Sequence, residues 1–552
     1  MLLLLWYLIP TLFATLASGV EPSSTSNFRS GLGQALLEKG VITSDYLHEL
    51  LVGLNRQDQD ICSCSLACNT LASIFGPSSV DLPGSASYEA SRSSFWSLQQ
   101  SQDTYPRCFV RPADAEDVSV AILLSRVTEC PFVAKGGGHA AFRGGSNSDG
   151  GITIDFAQMK HVDISPDGKS VAIGPGNTWL DVYTALEKVN LTMAGGRTAN
   201  VGVGGLALGG GISFFSGEHG WTCDNMLSYE IVLGSGEILT VDSNTHPDLF
   251  WALKGGGSNF GLVTQFVAST LPHEQMWGGF LGWEMHSAKP ALIDAMLNYA
   301  EKGSVQDPHA ALIVSFAYAQ PYKMWISSII VGHTDLPPPG EHHPPVFDDF
   351  FRVENMLQDT TRITSHSNLT VEIAIVNASG RRQSLWDLTT YVDKQLVLDI
   401  LTIFQEESAP ILNLTGFCPS ISFQIITVPQ LREMDRHGGN ALGISGGTDP
   451  LLLITPSPFW QLRSDDAQVL TSTSNIMSRV RELARERGLD HPFLYMNYAS
   501  QFQDPLTSYG GKNKARLEEI AGRYDPQRVF QELNPGYFKF QGAPVQWAGG
   551  ES

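Results

Sequence analysis

Positive charge is scarce in this sequence: of 552 residues only 35 are Lys or Arg, against 56 Asp or Glu, for a formal net charge of −21. Nucleic-acid binding needs a basic face, and no Lys/Arg stripe supplies one. Charge of either sign is also thin, at 16% of residues against 42% hydrophobic, which excludes a disordered, self-repelling chain. Long apolar runs are missing too. The stretch from Leu2 to Leu16 is interrupted by Pro10 and followed by Ala17-Ser18-Gly19, which suits a signal peptide spanning 1–19 better than an uncleaved anchor. No stable membrane span is expected after its removal, and no internal repeat is present.

Cysteine is sparse and odd in number, seven in all: Cys62, Cys64, Cys68, Cys108, Cys130, Cys223 and Cys418. At least one thiol therefore stays unpaired within a monomer. The early cluster suits a disulfide tying the N-terminal segment to the body. Zinc is the rival reading of Cys62-x-Cys64-x-x-x-Cys68, but no second Cys/His pair follows at suitable spacing, so no metal is expected. Asn-x-Ser/Thr triplets at Asn190, Asn368, Asn377 and Asn413 agree with N-glycans and with a secreted or lumenal location.

The length implies two to three lobes of roughly 150 to 200 residues each. Residues 20–103 read as a helical lead-in, with periodicity at Leu36, Leu37, Leu47, Leu50, Leu51 and Leu54. From 104 to 275 the chain is α+β and glycine-punctuated. An amphipathic helix is expected with Asp114 near its start and Val118, Ala121, Ile122 and Leu124 on one face. Strands are expected at Pro131–Ala134, Ile152–Asp155, Val171–Ile173, Tyr229–Leu233 and Leu262–Phe266. Between 276 and 490 glycines thin out and strands such as Leu312–Phe316 and Ser328–Val331 alternate with helices. Residues 491–552 close the chain with a strand candidate, Phe493–Tyr498, and a helix from Asn513 to Tyr524.

What the sequence has in quantity is glycine, 54 residues, gathered in runs between apolar residues. Lys135-Gly136-Gly137-Gly138-His139 sets an imidazole at the end of a glycine turn. Gly195-Gly196-Arg197 and Val203-Gly204-Gly205-Leu206-Ala207-Leu208-Gly209-Gly210-Gly211 add more side-chain-free backbone. A Walker loop would need Gly-x-x-x-x-Gly-Lys-Ser/Thr, which is absent. A Rossmann fingerprint would need its glycines in one compact turn, whereas here they are spread over separated loops. A nucleotide cofactor laid across several loops, its phosphates lined by backbone N–H groups, remains.

Together with Gly174-Pro175-Gly176-Asn177-Thr178-Trp179, Gly220-Trp221-Thr222-Cys223-Asp224-Asn225 and Gly255-Gly256-Gly257-Ser258-Asn259-Phe260-Gly261, these runs resemble FAD-linked oxidoreductases of the berberine bridge enzyme-like group. Tyr495-Met496-Asn497-Tyr498, Tyr509-Gly510 and Tyr524-Asp525-Pro526-Gln527-Arg528-Val529-Phe530 look like that group's C-terminal motif. The resemblance covers about 104 to 275 and 490 to 540, in the expected order. It implies an α+β protein, with a PCMH/VAO-type FAD-binding domain (104–275), a substrate domain (276–490) whose antiparallel sheet is covered by helices, and a C-terminal segment (491–552) returning to the FAD domain.

The resemblance further implies FAD attached covalently through His139, the other reading being a non-covalent, hydrogen-bonding histidine. A histidyl bond withdraws electron density from the flavin and raises its potential. Doubly tethered members carry a cysteine where Thr198 stands, so a single link is implied. The position of Val201 borders the oxygen-access side, which implies O2 as acceptor. Gly136, Gly137, Gly138, Gly204, Gly205 and Gly210 are the expected cradle. On a strand Tyr495 and Asn497 face one side while Met496 and Tyr498 turn to the core, so Tyr495 is the candidate base and Asn497 its neighbour at the flavin. Tyr495 as a core aromatic with a satisfied hydroxyl is the competing reading, since a tyrosine of pKa ~10 is a poor base unless a positive charge or donor favours its phenolate. The activity implied is hydride removal from a small organic, secondary-metabolite-like molecule. The alternatives are an oligosaccharide oxidase of the same fold and a catalytically silent binding protein.

Overall fold

The computed structural model describes residues 32–40, 43–45, 47 and 63–546. The leader, Leu50, Leu51, Leu54 and Cys62 lie outside them.

Helix α1 (Ser63–Phe75) carries Cys64 and Cys68 one turn apart on its buried face. Cys64 is bonded to Cys130 and Cys68 to Cys108, so these two thiols are not available to zinc. The bonds staple α1 to a four-stranded sheet of β1 (Val80–Asp81), β2 (Cys108–Val110), β3 (Phe132–Lys135) and β4 (Ile152–Asp155), ordered β1-β2-β4-β3 with β2 and β3 parallel to β4. The crossover from β2 to β3 is α2 (Ala115–Thr128), capped by Asp114, which accepts from the Asp117 N–H at 3.0 Å. This helix is not amphipathic as its sequence suggested. It is buried almost all round, because α1 and the next sheet enclose it from both sides.

That second sheet is antiparallel: β5 (Val162–Ile164), β6 (Ser170–Ile173), β7 (Met226–Val232), β8 (Ile238–Asp242) and β9 (Leu262–Ser269), in the order β5-β6-β9-β7-β8. Helices α3 (Trp179–Glu187) and α4 (Val203–Leu208) lie between β6 and β7 in the chain.

The third sheet has nine antiparallel strands. They are β10 (Met276–Glu284), β11 (Ala310–Ala319), β12 (Met324–His333), β13 (Gln358–Asp359), β14 (Arg362–Thr364), β15 (Leu388–Tyr391), β16 (Ser420–Ile426), β17 (Leu451–Pro456) and β18 (Asp490–His491). The order is β13-β10-β12-β11-β16-β17-β15-β18, with β14 also on β10. Period-two alternation divides its faces. Leu312, Val314, Phe316, Ile421, Phe423 and Ile425 pack under α5 (Met285–Asn298), α7 (Lys394–Ser408) and α8 (Asp466–Glu486). Residues between them turn to the opposite face. Helix α6 (His366–Val376) instead docks on the first lobe, where the Ala199 N–H donates to Thr370 O at 3.1 Å.

After β18 the chain returns to the second sheet's core, burying Phe493, Tyr495 and Met496 with Trp221, and then forms α9 (Gly511–Tyr524). The strand expected at Phe493–Tyr498 is instead an irregular run and a turn, in which the Tyr498 N–H donates to Tyr495 O at 2.9 Å. Asp387 Oδ2 takes the Tyr495 N–H and the Asn497 amide reaches Leu206 O at 3.0 Å. These side-chain bonds hold the backbone in a bend that aromatic β-propensity alone would not give. Among the described residues no helix is long and apolar enough to cross a membrane.

Candidate active site

A cavity of about 670 Å³ lies between the first two sheets' loops and the open face of the third. Its first wall begins where β3 ends. Lys135 there forms a buried ion pair with Asp155 at 2.7 Å and lies over the Phe95 ring, so the entry to the glycine turn is fixed. Gly137 meets Gly202 backbone to backbone: a Cβ on Gly137 would stand 2.5 Å from Gly202 N. Two loops distant in sequence touch only because neither carries a side chain there.

His139 follows. Its ring stacks on Trp96 at 4.2 Å and 12°, and Trp96 is anchored by its N–H to Gly138 O at 3.1 Å and its indole N–H to Asn377 O at 2.9 Å. The imidazole lines the cavity, yet its buried Nε2 has no hydrogen-bond partner among the described residues. Burial pulls its pKa down to about 4, against a smaller opposing effect of its own backbone and of Asn200. The ring is therefore neutral, with one nitrogen left without a hydrogen bond in an enclosed site among the described residues.

The opposite rim comes from the loop before α4. Gly195 and Gly196 pack under Trp179 and Tyr183, whose hydroxyl donates to Gly196 O at 2.8 Å. That places Arg197, Thr198 and Val201 on the cavity. Gly204 and Gly205 of α4 also line it, and the first N–H of that helix, on Val203, is taken by Asn177 O at 3.0 Å. Gly136, Gly137 and Gly138 line it as expected. Gly210 does not: at φ +117° it lies behind the wall against Trp221, and its role is to let the chain turn there.

The C-terminal turn supplies the remaining groups. Tyr495 is 1% exposed, and its hydroxyl oxygen receives the N–H groups of Gly211 at 3.0 Å and Ile212 at 3.2 Å and the Asn497 amide at 2.9 Å. Burial pushes its phenol well above the ordinary range, Tyr498 adding to the rise, with Asn497, Ile212 and Arg197 opposing it. Asn497 packs where Gly209 lacks a Cβ and joins Leu206 O to Tyr495. Tyr498, expected to face the core, lines the cavity because the turn breaks the two-residue alternation. Its hydroxyl accepts from Arg197 at 2.9 Å, and Arg197 also donates to Gln424 Oε1 at 2.5 Å. From sequence Arg197 had no role, Tyr498 was expected to face the core, and Gln424 and Trp96 carried no signal; only the fold brings them together.

Among the described residues no group of His, Cys, Asp and Glu side chains could hold a metal ion. The residues do suit FAD: a glycine-lined trough for the nucleotide, and an imidazole on the cavity wall whose Nε2 lacks a partner among the described residues.

Comparison with known proteins agrees. Residues 106–242 match the FAD binding domain family, and full-length relatives place the chain among FAD-linked oxidoreductases. The chain is 36% identical over 502 residues to the FAD-dependent monooxygenase tpcD of Cochliobolus heterostrophus, covering 87% of this chain and 95% of that one. It is 32% identical over 436 residues to the bifunctional solanapyrone synthase of Alternaria solani, with 79% and 81% covered. Among solved structures, berberine bridge enzyme from Eschscholzia californica superposes with a TM-score of 0.69 at 18% identity, over 88% of this chain and 100% of that one. The protein belongs to the family of these FAD-dependent monooxygenases, and its fold is the PCMH/VAO type that berberine bridge enzyme shares.

Proposed function

We propose that this protein is a secreted or lumenal oxidase that carries FAD on a single covalent bond to His139, removes hydride from a small organic molecule and passes the electrons to O2. The orphaned Nε2 of His139, stacked on Trp96 inside the cavity, is the observation that carries this reading. Thr198 in the cavity wall supports a single link, since a threonine cannot form a thioether. Val201, small and cavity-lining, supports oxygen access. Two disulfides and the exposure of Asn190, Asn368 and Asn413 support a secretory route with N-glycans. Asn377 is half-buried at the cavity wall and makes the poorest acceptor of the four.

When bound, FAD supplies a two-electron acceptor for hydride. The chain's own residues must orient the substrate and take its proton. A tyrosine does this only where a positive charge or donors favour its phenolate. Tyr498 lines the cavity with its hydroxyl oxygen against the Arg197 guanidinium, whereas the oxygen of Tyr495 is enclosed by three N–H groups. Tyr498 Oη is therefore the proposed proton acceptor. Tyr495 holds Asn497 in place, and Gln424 holds Arg197.

The monooxygenase name of the relatives favours a second reading, in which one O2 oxygen enters the product. Turnover under 18O2 separates the two: the oxidase reading expects one peroxide released per product and no label in the product, and label retained in the product overturns it. Oligosaccharide oxidation suits the hydroxyls on the third sheet but not the apolar wall of Phe280, Ile313, Ile330, Ile373 and Ile375. A silent binding protein would show neither peroxide nor label.

A further inference from the structure

The cavity has a second end that neither the glycine trough nor the Tyr498–Arg197 contact uses. Among the described residues the cavity wall as a whole contains no Asp, Glu or Lys but includes two arginines, Arg197 and Arg381. Arg381 directly precedes the short ribbon Arg382–Gln383, which pairs with Phe459–Trp460. Arg382 is clamped between Asp103 at 2.7 Å and Asp466 at 2.5 Å, and Arg381 O accepts from the Leu98 N–H at 2.9 Å. The backbone is thus fixed, and the Arg381 guanidinium lies over the Phe459 ring, 4.1 Å from its centre. Among the described residues no carboxylate pairs with Arg381, in contrast to Arg382. A guanidinium in a partly desolvated wall without a counter-ion is unfavourable until an anion meets it, and its planar fork matches a carboxylate.

The two arginines mark opposite ends of a track. Along β16 the residues Gln424, Ser422 and Ser420 face the cavity, and Cys418 continues the line. Gln424 touches Arg197, while the Cys418 thiol feels the charge of Arg381. Six residues of extended chain span about 20 Å. Across the track, Ser328, Ser315, Ser422 and Thr455 stand in register on β12, β11, β16 and β17. Ser315 and Ser422 share a hydrogen bond of 2.8 Å, whereas the buried Thr455 hydroxyl has no partner among the described residues. Ile313, Ile326 and Ile330 flank this row.

We propose that the substrate is an elongated organic acid: its carboxylate sits on Arg381, its oxygen-bearing body crosses the Ser328–Thr455 row, and its reacting carbon reaches Tyr498. This rests on the cavity being the substrate site of the proposed oxidase. Net charge of −21 repels anions from the surface at large, so selection for an acid must come from local guanidinium groups.

The test is calorimetric titration of the purified holoprotein at neutral pH with 10-hydroxydecanoate and with decane-1,10-diol, a pair differing in one carboxylate. The wild type should bind the acid at least about tenfold more tightly, as a charge-assisted contact contributes. In Arg381→Gln the preference should vanish while diol affinity stays within about twofold, and in Arg381→Lys part of it should remain. Equal affinity for both probes, no binding of the acid, or a preference that survives Arg381→Gln overturns the proposal. The visible spectrum of the same samples as purified reports on the flavin separately: protein without flavin absorbance that still prefers the acid keeps the Arg381 site and sinks the oxidase reading.

Discussion

Replacing Tyr495 and Tyr498 one at a time by Phe should separate two roles that adjacent residues of one motif would otherwise blur. Tyr495→Phe deletes the oxygen that receives the Gly211, Ile212 and Asn497 N–H groups. The Asn497 amide keeps Leu206 O, but two buried backbone donors lose their acceptor. At about 1–3 kcal/mol for each stranded group, the loss should be about 3 kcal/mol, or several degrees of melting temperature. Tyr498→Phe removes a half-buried hydroxyl whose donor, Arg197, keeps Gln424. Its stability should fall by under ~1 kcal/mol, while the rate of flavin reduction should fall by ~10²–10⁴, the usual worth of a positioned base. The assay is a thermal melt of each variant beside anaerobic single-turnover reduction followed by flavin absorbance. A Tyr498→Phe variant that reduces its flavin at the wild-type rate would falsify the assignment. So would a Tyr495→Phe variant that melts like wild type and is not reduced, which would return the base to Tyr495.

Three further perturbations have expected outcomes. Cys64→Ser with Cys130→Ser opens a 66-residue link and should cost about 4 kcal/mol on the chain-entropy view, seen as a lower melting temperature that dithiothreitol, which also reduces Cys68–Cys108, lowers further; an unchanged melt contradicts it. His366 is fully buried, bonds Thr192 at 2.9 Å and has its pKa lowered to about 3 by burial. Because the unfolded imidazole titrates near 6.5, this contribution is whole above about pH 6.5 and is lost as pH falls towards 3, by up to about 5 kcal/mol. His366→Gln should flatten the stability profile in that window, and an unaltered acid midpoint speaks against it. Val201→Leu should slow reoxidation of reduced flavin by O2 while leaving anaerobic reduction unchanged, and equal loss of both rates would mean general damage to the cavity.

Local features were legible in the sequence, and features set by distant pairing were not. The Lys135–His139 turn was readable because a glycine run between apolar residues has few purposes, and Asp114 marked the start of α2. The burial of α2 on every side was hidden, since polar residues such as Ser119 and Ser125 bond to Gly236 O and Cys130 O instead of facing water. Phe493–Tyr498 read as a strand on composition, but Asp387, over a hundred residues earlier, holds Tyr495 in a bend. The Ser328–Ser315–Ser422–Thr455 row depends on the register of four strands and has no trace in any local window. Arg197 stood in a quoted motif, yet its contact with Tyr498 spans 301 residues.

The most direct measurement is the visible spectrum of purified protein before and after acid precipitation, for wild type and His139→Ala. A wild-type pellet that stays yellow beside a variant that releases its flavin to the supernatant is the result expected of a histidyl bond at His139. Colour released from both, or retained by both, contradicts it.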